Sequence, residues 1–349
     1  MQARKHYYWI DLLRFLCALL VVLAHYRGNF FVAYGLLPEY QKTFPVQVFY
    51  LFTRFGEEPV LVFFVLSGFL VGGRTLEKAL NAEIEPKAYF IDRSVRILLP
   101  LLASSILVVI LQIVKRGAIP FEDIIGSFIG LQGTLTESSF NPPLWSLAYE
   151  IWFYILIGCV LFFMRGHRIY KLIAIVPFLL GLYVFSLLNL LYLFVLLIGL
   201  LSYFIKKNSH STGAITTWAL LILILLSFLV LQTLTVSKSI DFGYLKFVDK
   251  GTASIFLAGV TGLLISHIVG FVPKSHLAST INKIGSKLSQ FSYSLYLTHY
   301  PLMEFLSFLG VPKSEEISFV SVSAYIIALI LSVVVAYLVY LVSEKHTGI

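Results

Sequence analysis

Ten stretches of apolar residues, each long enough to cross a lipid bilayer, limit most strongly what this chain can fold into. A membrane-spanning helix needs about 20 such residues, because each adds about 1.5 Å across a hydrocarbon core about 30 Å thick. A helix also satisfies its backbone hydrogen bonds internally, as lipid requires. The sequence therefore predicts an all-α polytopic membrane bundle. The predicted spans are 8–27, 57–73, 95–114, 145–164, 169–187, 189–205, 215–236, 252–271, 290–310 and 318–342.

The composition also indicates a membrane protein. Apolar residues make up 58% of the 349 residues and charged residues 13%, whereas soluble domains are about a quarter charged. The mean hydropathy is +0.89. We predict a single membrane domain over residues 1–349, located in a bacterial cytoplasmic membrane.

The distribution of Lys and Arg predicts the orientation of the helices. Basic loops are retained in the cytoplasm. With ten spans and both termini in the cytoplasm, most of the 26 Lys and Arg residues fall in cytoplasmic segments. Topology and anionic lipid headgroups then explain the net charge of +8, so the charge does not indicate nucleic-acid binding.

The first span carries three polar residues, Asp11, Arg14 and His25. At about 100° per residue they share one face of a helix, with Arg14 about 16 Å from His25. Because a charge facing lipid costs about 2.5 to 3.5 kcal/mol, this face must line protein or water. It is typical of a reaction chamber or a permeation path.

Two further spans contain polar residues near small or aromatic ones. Ser67 and Gly68 lie in the middle of the second span, where small residues either allow close helix packing or line a site. Trp145 opens the fourth span at the membrane interface. Ser146 and Glu150 share a face of that helix, and a glutamate inside a span is a functional candidate.

The ninth span begins with Ser292, Tyr293, Tyr296 and His299. Their spacing of three to four residues places hydroxyls and an imidazole on one side of a helix. An interfacial aromatic belt is the alternative explanation for the tyrosines.

Two arginines, Arg93 and Arg96, lie one helical turn apart just before the third span. The topology alone explains basic residues at this position. A pair of guanidinium groups at this spacing also suits phosphate recognition.

Five motifs, taken in chain order, resemble the membrane acyltransferase-3 family. The resemblance runs from Asp11 to about Glu344 and is closest to the membrane-only form, without an appended soluble hydrolase-like domain. The motifs are Arg14-x10-His25, Phe63-Phe64-Val65-Leu66-Ser67-Gly68-Phe69, Arg96-Ile97, Trp145-Ser146-Leu147-x-x-Glu150-x-x-Phe153-Tyr154 and Ser292-Tyr293-x-x-Tyr296-Leu297-x-His299-x-Pro301.

The resemblance implies an O-acyltransferase that takes an acyl group, most often acetyl, from cytoplasmic acetyl-CoA. Family members modify sugars of O-antigen, capsule, exopolysaccharide, peptidoglycan or glycosylated antibiotics. Acyl-CoA and a saccharide or glycolipid acceptor are therefore the expected partners in the bilayer. Neither a permanently bound cofactor nor a metal is expected.

Acyl transfer to a hydroxyl needs a base, and imidazole suits this task near neutral pH. We expect His25 to act as the base or to carry the acyl group itself, with Glu150 as its carboxylate partner. Arg14 is a further catalytic candidate. Arg14, Arg93 and Arg96 are the donor-binding candidates, and Asp11 supports Arg14. Candidates for contacting substrate or stabilising the oxyanion are Ser67, Trp145, Ser292, Tyr293, Tyr296 and His299.

A proton-coupled secondary transporter is the alternative interpretation. It explains Asp11, Arg14, His25 and Glu150 as an intramembrane relay for export of a glycolipid or an organic acid.

Overall fold

The computed structural model describes residues 8–137, 140–205, 213–236, 249–273 and 275–345. Within these ranges the chain is helical, and its β-pairing is limited to two isolated bridges. The predicted all-α class is confirmed. The helices are α1 (Tyr8–Phe30), α2 (Phe44–Phe52), α3 (Glu58–Ser67), α4 (Arg74–Leu80), α5 (Pro86–Lys115), α6 (Phe121–Phe128), α7 (Trp145–Arg165), α8 (Arg168–Leu187), α9 (Leu190–Ile205), α10 (Ala214–Val236), α11 (Lys250–Ile268), α12 (His276–Ser289), α13 (Ser292–Phe308) and α14 (Phe319–Ser343).

Eight segments within the described residues are long and apolar enough to cross a membrane, so the chain is an integral membrane protein. The other two predicted spans form shorter helices. Helix α9 has 16 residues and α13 has 17, close to the lower limit of about 17 for a span. Both termini lie outside the described residues, and their cytoplasmic location stays a prediction. The eight segments are Trp9–Phe30, Glu58–Leu80, Pro86–Lys115, Pro142–Arg165, Arg168–Leu187, Ala214–Leu234, Lys250–Ile268 and Phe319–Ser343.

The spans differ widely in how much of their surface is covered by protein. Only 17% of the span in α10 is buried, against 78% of the segment Glu58–Leu80. An apolar helix with exposed side chains is stable only in lipid, whereas a covered one packs against other helices. Helix α10 therefore faces lipid, and Glu58–Leu80 lies in the protein interior.

The chain divides into two compact units, and the prediction of one domain over 1–349 stays a prediction. The first unit comprises Met1–Arg14, Val60–Ile91 and Tyr149–Leu288. At its centre a π-helical segment, Gly68–Gly73, joins α3 to α4 and packs against α9. A Cβ atom on Gly68 would lie 1.9 Å from the carbonyl oxygen of Leu196, so this helix crossing requires glycine.

The second unit comprises Phe15–Pro59, Asp92–Ala148 and Ser289–Ile349. Helix α13 packs along α14, and a short 3₁₀ helix, Pro142–Leu144, also contacts α13. This unit holds two of the conspicuous sequence features, the imidazole of α1 and the polar start of α13.

Helix α5 is longer than a bilayer requires. Its 30 residues extend about 45 Å, against about 30 Å for the hydrocarbon core. Exposed apolar side chains such as Ile106, Ile110 and Ile113 occupy its second half. The helix is therefore long enough to extend beyond the lipid tails.

Candidate functional site

Two histidine side chains meet within the second unit. Nδ1 of His25, on α1, lies 3.0 Å from Nε2 of His299, on α13, and the two ring planes are inclined by 26° with their centroids 5.1 Å apart. The ring of Tyr300 lies edge-on to His25 at 5.7 Å. His299 is fully buried, whereas His25 is half-buried. The pair therefore combines an accessible imidazole with an enclosed one.

The second nitrogen of His299 contacts the backbone of its own helix. Its Nδ1 lies 2.7 Å from the carbonyl oxygen of Tyr296 and 3.2 Å from that of Leu295. Because a carbonyl oxygen only accepts, Nδ1 is the donor in these contacts. Both ring nitrogens of His299 are thus engaged.

Pro301 leaves one backbone carbonyl of α13, close to His299, without its helical hydrogen bond. A proline inside a helix has no N–H, so the carbonyl four residues earlier, on Leu297, loses its helical donor. Two side chains replace that donor, Ser104 Oγ at 2.9 Å and Asn141 Nδ2 at 2.8 Å. Both are buried, so the freed carbonyl is satisfied inside the protein.

Tyr26 fixes the same turn of α13 from another side. Its hydroxyl donates to the carbonyl of His299 at 3.1 Å and is also hydrogen-bonded to Ser332 of α14. Because the single phenolic proton goes to the carbonyl, the hydroxyl of Ser332 donates to the tyrosine oxygen. Tyr26, the residue next to His25 in the chain, thereby holds the backbone of His299 in place.

Tyr296, a predicted site residue, meets Ser146 in the second unit. Their hydroxyl oxygens lie 2.7 Å apart, and Tyr296 also donates to the carbonyl of Pro143. Ser146 is therefore the donor to Tyr296. These contacts hold the start of α7 against α13.

The other predicted residues of the second unit have separate surroundings. The hydroxyl of Ser292 donates to the carbonyl of Ser289 at 2.8 Å, which is a local contact at the start of α13. The hydroxyl of Tyr293 lies 3.5 Å from the carbonyl oxygen of Ile97 on α5. Trp145 is the first residue of α7 and is half-buried.

The two arginines of α5 are half-buried and one turn apart. Arg93 forms an ion pair with the neighbouring Asp92, with Nη2 and Oδ2 2.8 Å apart. Asp92 is half-exposed, so solvent screens the pair and its contribution to stability is small. The phosphate-binding role of Arg93 and Arg96 stays a prediction.

Ser67 and Glu150, in the first unit, are linked through Tyr154. The hydroxyl oxygens of Ser67 and Tyr154 lie 2.9 Å apart, and Tyr154 donates to Oε2 of Glu150 at 3.3 Å. Ser67 precedes the π-helical segment, and such segments are frequent at functional sites. The predicted pairing of Glu150 with His25 stays a prediction.

Asp11 and Arg14 lie in the first turns of α1, on the same helix as His25. A carboxylate is favoured there because the N-terminus of a helix carries a partial positive charge. This position supports a stabilising role for Asp11. The donor-binding role of Arg14 stays a prediction.

The second unit also contains a cavity of about 150 Å³, which is lined in part by residues of α13. Pro301, which follows Tyr300, lines it together with three polar side chains, Gln112, Lys115 and Glu304. All belong to the second unit. The cavity therefore offers a positively charged, a negatively charged and an amide side chain as hydrogen-bonding partners. Part of its lining belongs to α13, the helix that carries His299.

The sequence did not indicate Tyr26, Ser104 and Asn141 as parts of the site. Pro301 was a usable signal, because it predicts an unsatisfied carbonyl at Leu297. The identity of the donors depends on tertiary contacts between residues more than 150 positions apart.

The fold and these contacts define a class, the polytopic helical membrane proteins with a histidine-containing polar site. The model of the acyltransferase 3 family, described as an acyltransferase domain, matches residues 7–341. The chain belongs to this family and is a membrane acyltransferase. Comparisons with curated proteins and with solved structures gave no match.

Proposed function

We propose that this protein transfers an acetyl group from cytoplasmic acetyl-CoA to a hydroxyl of a cell-surface or lipid-linked saccharide, with His25 as the base. The observation that carries the proposal is the half-buried imidazole of His25, supported at Nδ1 by the buried His299. Nε2 of His25 has no protein partner among its described contacts, so it is the atom that can act on a substrate.

The transfer is a single exchange between His25 and the two substrates. Nε2 takes the proton of the acceptor hydroxyl while that oxygen attacks the thioester carbonyl. The new C–O bond forms, the C–S bond breaks, and the imidazolium returns the proton to the leaving CoA sulfur. The imidazole is neutral again at the end, and the products are the O-acetyl ester and free CoA.

Arginines hold the donor in this proposal. Arg93 and Arg96 bind CoA phosphates near the start of α5, which the predicted topology places on the cytoplasmic side. Arg14 contacts the donor nearer the acyl end. Since phosphate contacts are made equally in the ground and transition states, they affect donor binding more than turnover.

The acceptor binds in the cavity lined by Gln112, Lys115 and Glu304. Sugar hydroxyls both donate and accept hydrogen bonds, and this lining supplies both kinds of partner. In the predicted topology, the end of α5 and the second half of α13 face away from the cytoplasm. Donor and acceptor therefore approach His25 from opposite sides of the membrane.

The test uses the purified protein in liposomes with [¹⁴C]acetyl-CoA and extracted lipid-linked saccharides. We expect base-labile label in the saccharide fraction and equimolar release of CoA. His25→Ala should reduce the rate at least about 10²-fold, the usual contribution of a general base. His167→Ala is the matched control, because that imidazole is exposed and makes no cap hydrogen bond.

Two results would contradict the proposal. Full activity in a well-inserted His25→Ala protein would remove the base assignment. Movement of a saccharide across the liposome membrane without release of CoA would favour a transporter.

A further inference from the structure

We infer that His299 is a positioning residue that fixes the tautomer of His25, so that Nε2 of His25 is the working base. This inference rests on the proposed function and assigns a role to the partner imidazole. It follows from the contacts that His299 makes with two backbone carbonyls and with His25.

The proton on His299 is placed by the two carbonyls. Nδ1 lies within hydrogen-bond distance of the carbonyl oxygens of Tyr296 and Leu295, at 2.7 and 3.2 Å. Neither oxygen has a proton to give, so Nδ1 must carry one. If the ring is neutral, Nε2 is then unprotonated and accepts.

The ring is neutral because of where it lies. His299 is 0% exposed, and the contacts that the structure describes for it are carbonyls, hydroxyl-bearing residues and the His25 ring, with no carboxylate. A buried charge without a counter-ion is strongly unfavourable. His299 therefore holds one proton, and that proton is on Nδ1.

The tautomer of His25 follows directly. Its Nδ1 is 3.0 Å from the unprotonated Nε2 of His299, so it must be the donor in that hydrogen bond. Neutral His25 then has its lone pair on Nε2. This nitrogen is on the far side of the ring from His299.

The arrangement resembles a catalytic triad in which the neutral imidazole of His299 takes the place of the carboxylate. When His25 takes a proton at Nε2, its Nδ1–H becomes a stronger donor, and His299 passes the polarisation to the carbonyl of Tyr296. Because the partner is neutral, it orients the ring without adding a buried charge. The fixed turn of α13 keeps the acceptor in place.

The first test replaces His299 by residues with and without an acceptor. His299→Leu should lower kcat about 10²-fold with little change in the KM for acetyl-CoA, by loss of the correct tautomer. His299→Gln, whose amide oxygen can reach the position of Nε2, should retain activity within about tenfold of the unaltered protein. Equal losses in the two variants would show that His299 acts only by packing and would overturn the inference.

The second test does not depend on activity. Solid-state NMR of the whole protein in bilayers, with ¹⁵N-labelled histidine, reports which nitrogen of each ring carries a proton. The difference between the unaltered protein and His25→Ala assigns the His25 signals. We expect a protonated Nδ1 and a bare Nε2, and the opposite tautomer or a charged pair would overturn the inference.

The two tests also separate this inference from the proposed function. If no acceptor is labelled by any form of the protein, the proposed function fails, while the NMR result still decides the tautomer. If His25→Ala is inactive and His299→Leu is fully active, the proposed base stands and the inference fails.

Discussion

The two histidines show how one residue type serves two purposes at the residue scale. His25 is half-buried and has a nitrogen directed away from its partner, while His299 is enclosed and uses both nitrogens within the protein. Imidazole suits both positions because the neutral ring has one donor and one acceptor. The sequence alone does not distinguish these roles, since both residues interrupt apolar segments in the same way.

Trapping of an acetyl-histidine intermediate tests whether His25 itself carries the acyl group. Incubation with acetyl-CoA and no acceptor, followed by rapid acid quench and mass spectrometry, should give an acetylated His25 if transfer is covalent. Because Nδ1 is engaged by His299, the adduct should be on Nε2. Direct transfer predicts unmodified histidine, and His167 serves as the internal control.

The phosphate-binding role of Arg93 and Arg96 predicts a specific kinetic defect. Replacing both by Ala should raise the KM for acetyl-CoA at least about tenfold, since each charged hydrogen bond contributes about 1.5 to 3 kcal/mol. The kcat should stay within about twofold. Arg168→Ala is the control, because it also removes a basic residue on the predicted cytoplasmic side, and Arg168 is exposed. An unchanged KM would leave the pair with a topological role alone.

The polar cavity predicts an acceptor defect. Glu304→Gln should raise the KM for the saccharide several-fold and leave the KM for acetyl-CoA unchanged, because it removes one strong acceptor from the lining. Glu315→Gln, an exposed residue in the following loop, is the control. A rise in the KM for acetyl-CoA instead would place the donor in this cavity.

At the scale of helices, the packing of α9 against α3 and the π-helical segment depends on two glycines. A Cβ on Gly68 would overlap the carbonyl of Leu196, and a Cβ on Gly199 would lie 2.1 Å from the carbonyl oxygen of Val65. Both obstacles are backbone atoms, which side-chain rotation cannot move away. Close approach of the backbones is the usual reason for small residues in membrane helices.

Gly68→Ala should therefore destabilise the protein. Overpacking at a tight contact costs about 1 to 3 kcal/mol, and we expect a melting temperature several degrees lower in detergent. Gly259→Ala is the matched control, since a Cβ at that helical glycine meets no atom within 4 Å. Equal melting temperatures for the two variants would show that α9 and the π-helical segment can move apart at Gly68 without loss of stability.

At the scale of the whole molecule, the topology depends on two short helices, α9 and α13. Their 16 and 17 residues extend about 24 and about 26 Å. Modest local thinning of the bilayer accommodates such lengths. If both cross, the chain has ten spans, as the sequence predicts.

Cysteine labelling counts these spans. Cys17 and Cys159 are buried and can be replaced to give a cysteine-free background. With all ten spans, His276→Cys should react only from the cytoplasmic side and Glu315→Cys only from the opposite side. His167→Cys is the cytoplasmic reference. Outside labelling of His276→Cys would show that α9 does not cross.

The sequence predicted the helical membrane class and indicated which polar residues interrupt the apolar segments. Both can be read locally, from the length of each apolar segment and from the polar residues within it. It did not predict that Ser67 would meet Tyr154 or that His25 would meet His299. Those pairs are separated by 87 and 274 residues, and they depend on how helices pack. Helix α9 was also placed correctly, with a predicted span of 189–205 against Leu190–Ile205 in the structure.

The turn of α13 around Pro301 carries a consequence for motion during turnover. Ser104, Asn141 and Tyr26 reach it from three other segments and hold two of its carbonyls. Sliding or rotating this helix would break all three bonds at once. We therefore expect α13 to stay in place during turnover. Substrate entry then requires movement of neighbouring helices that are less constrained.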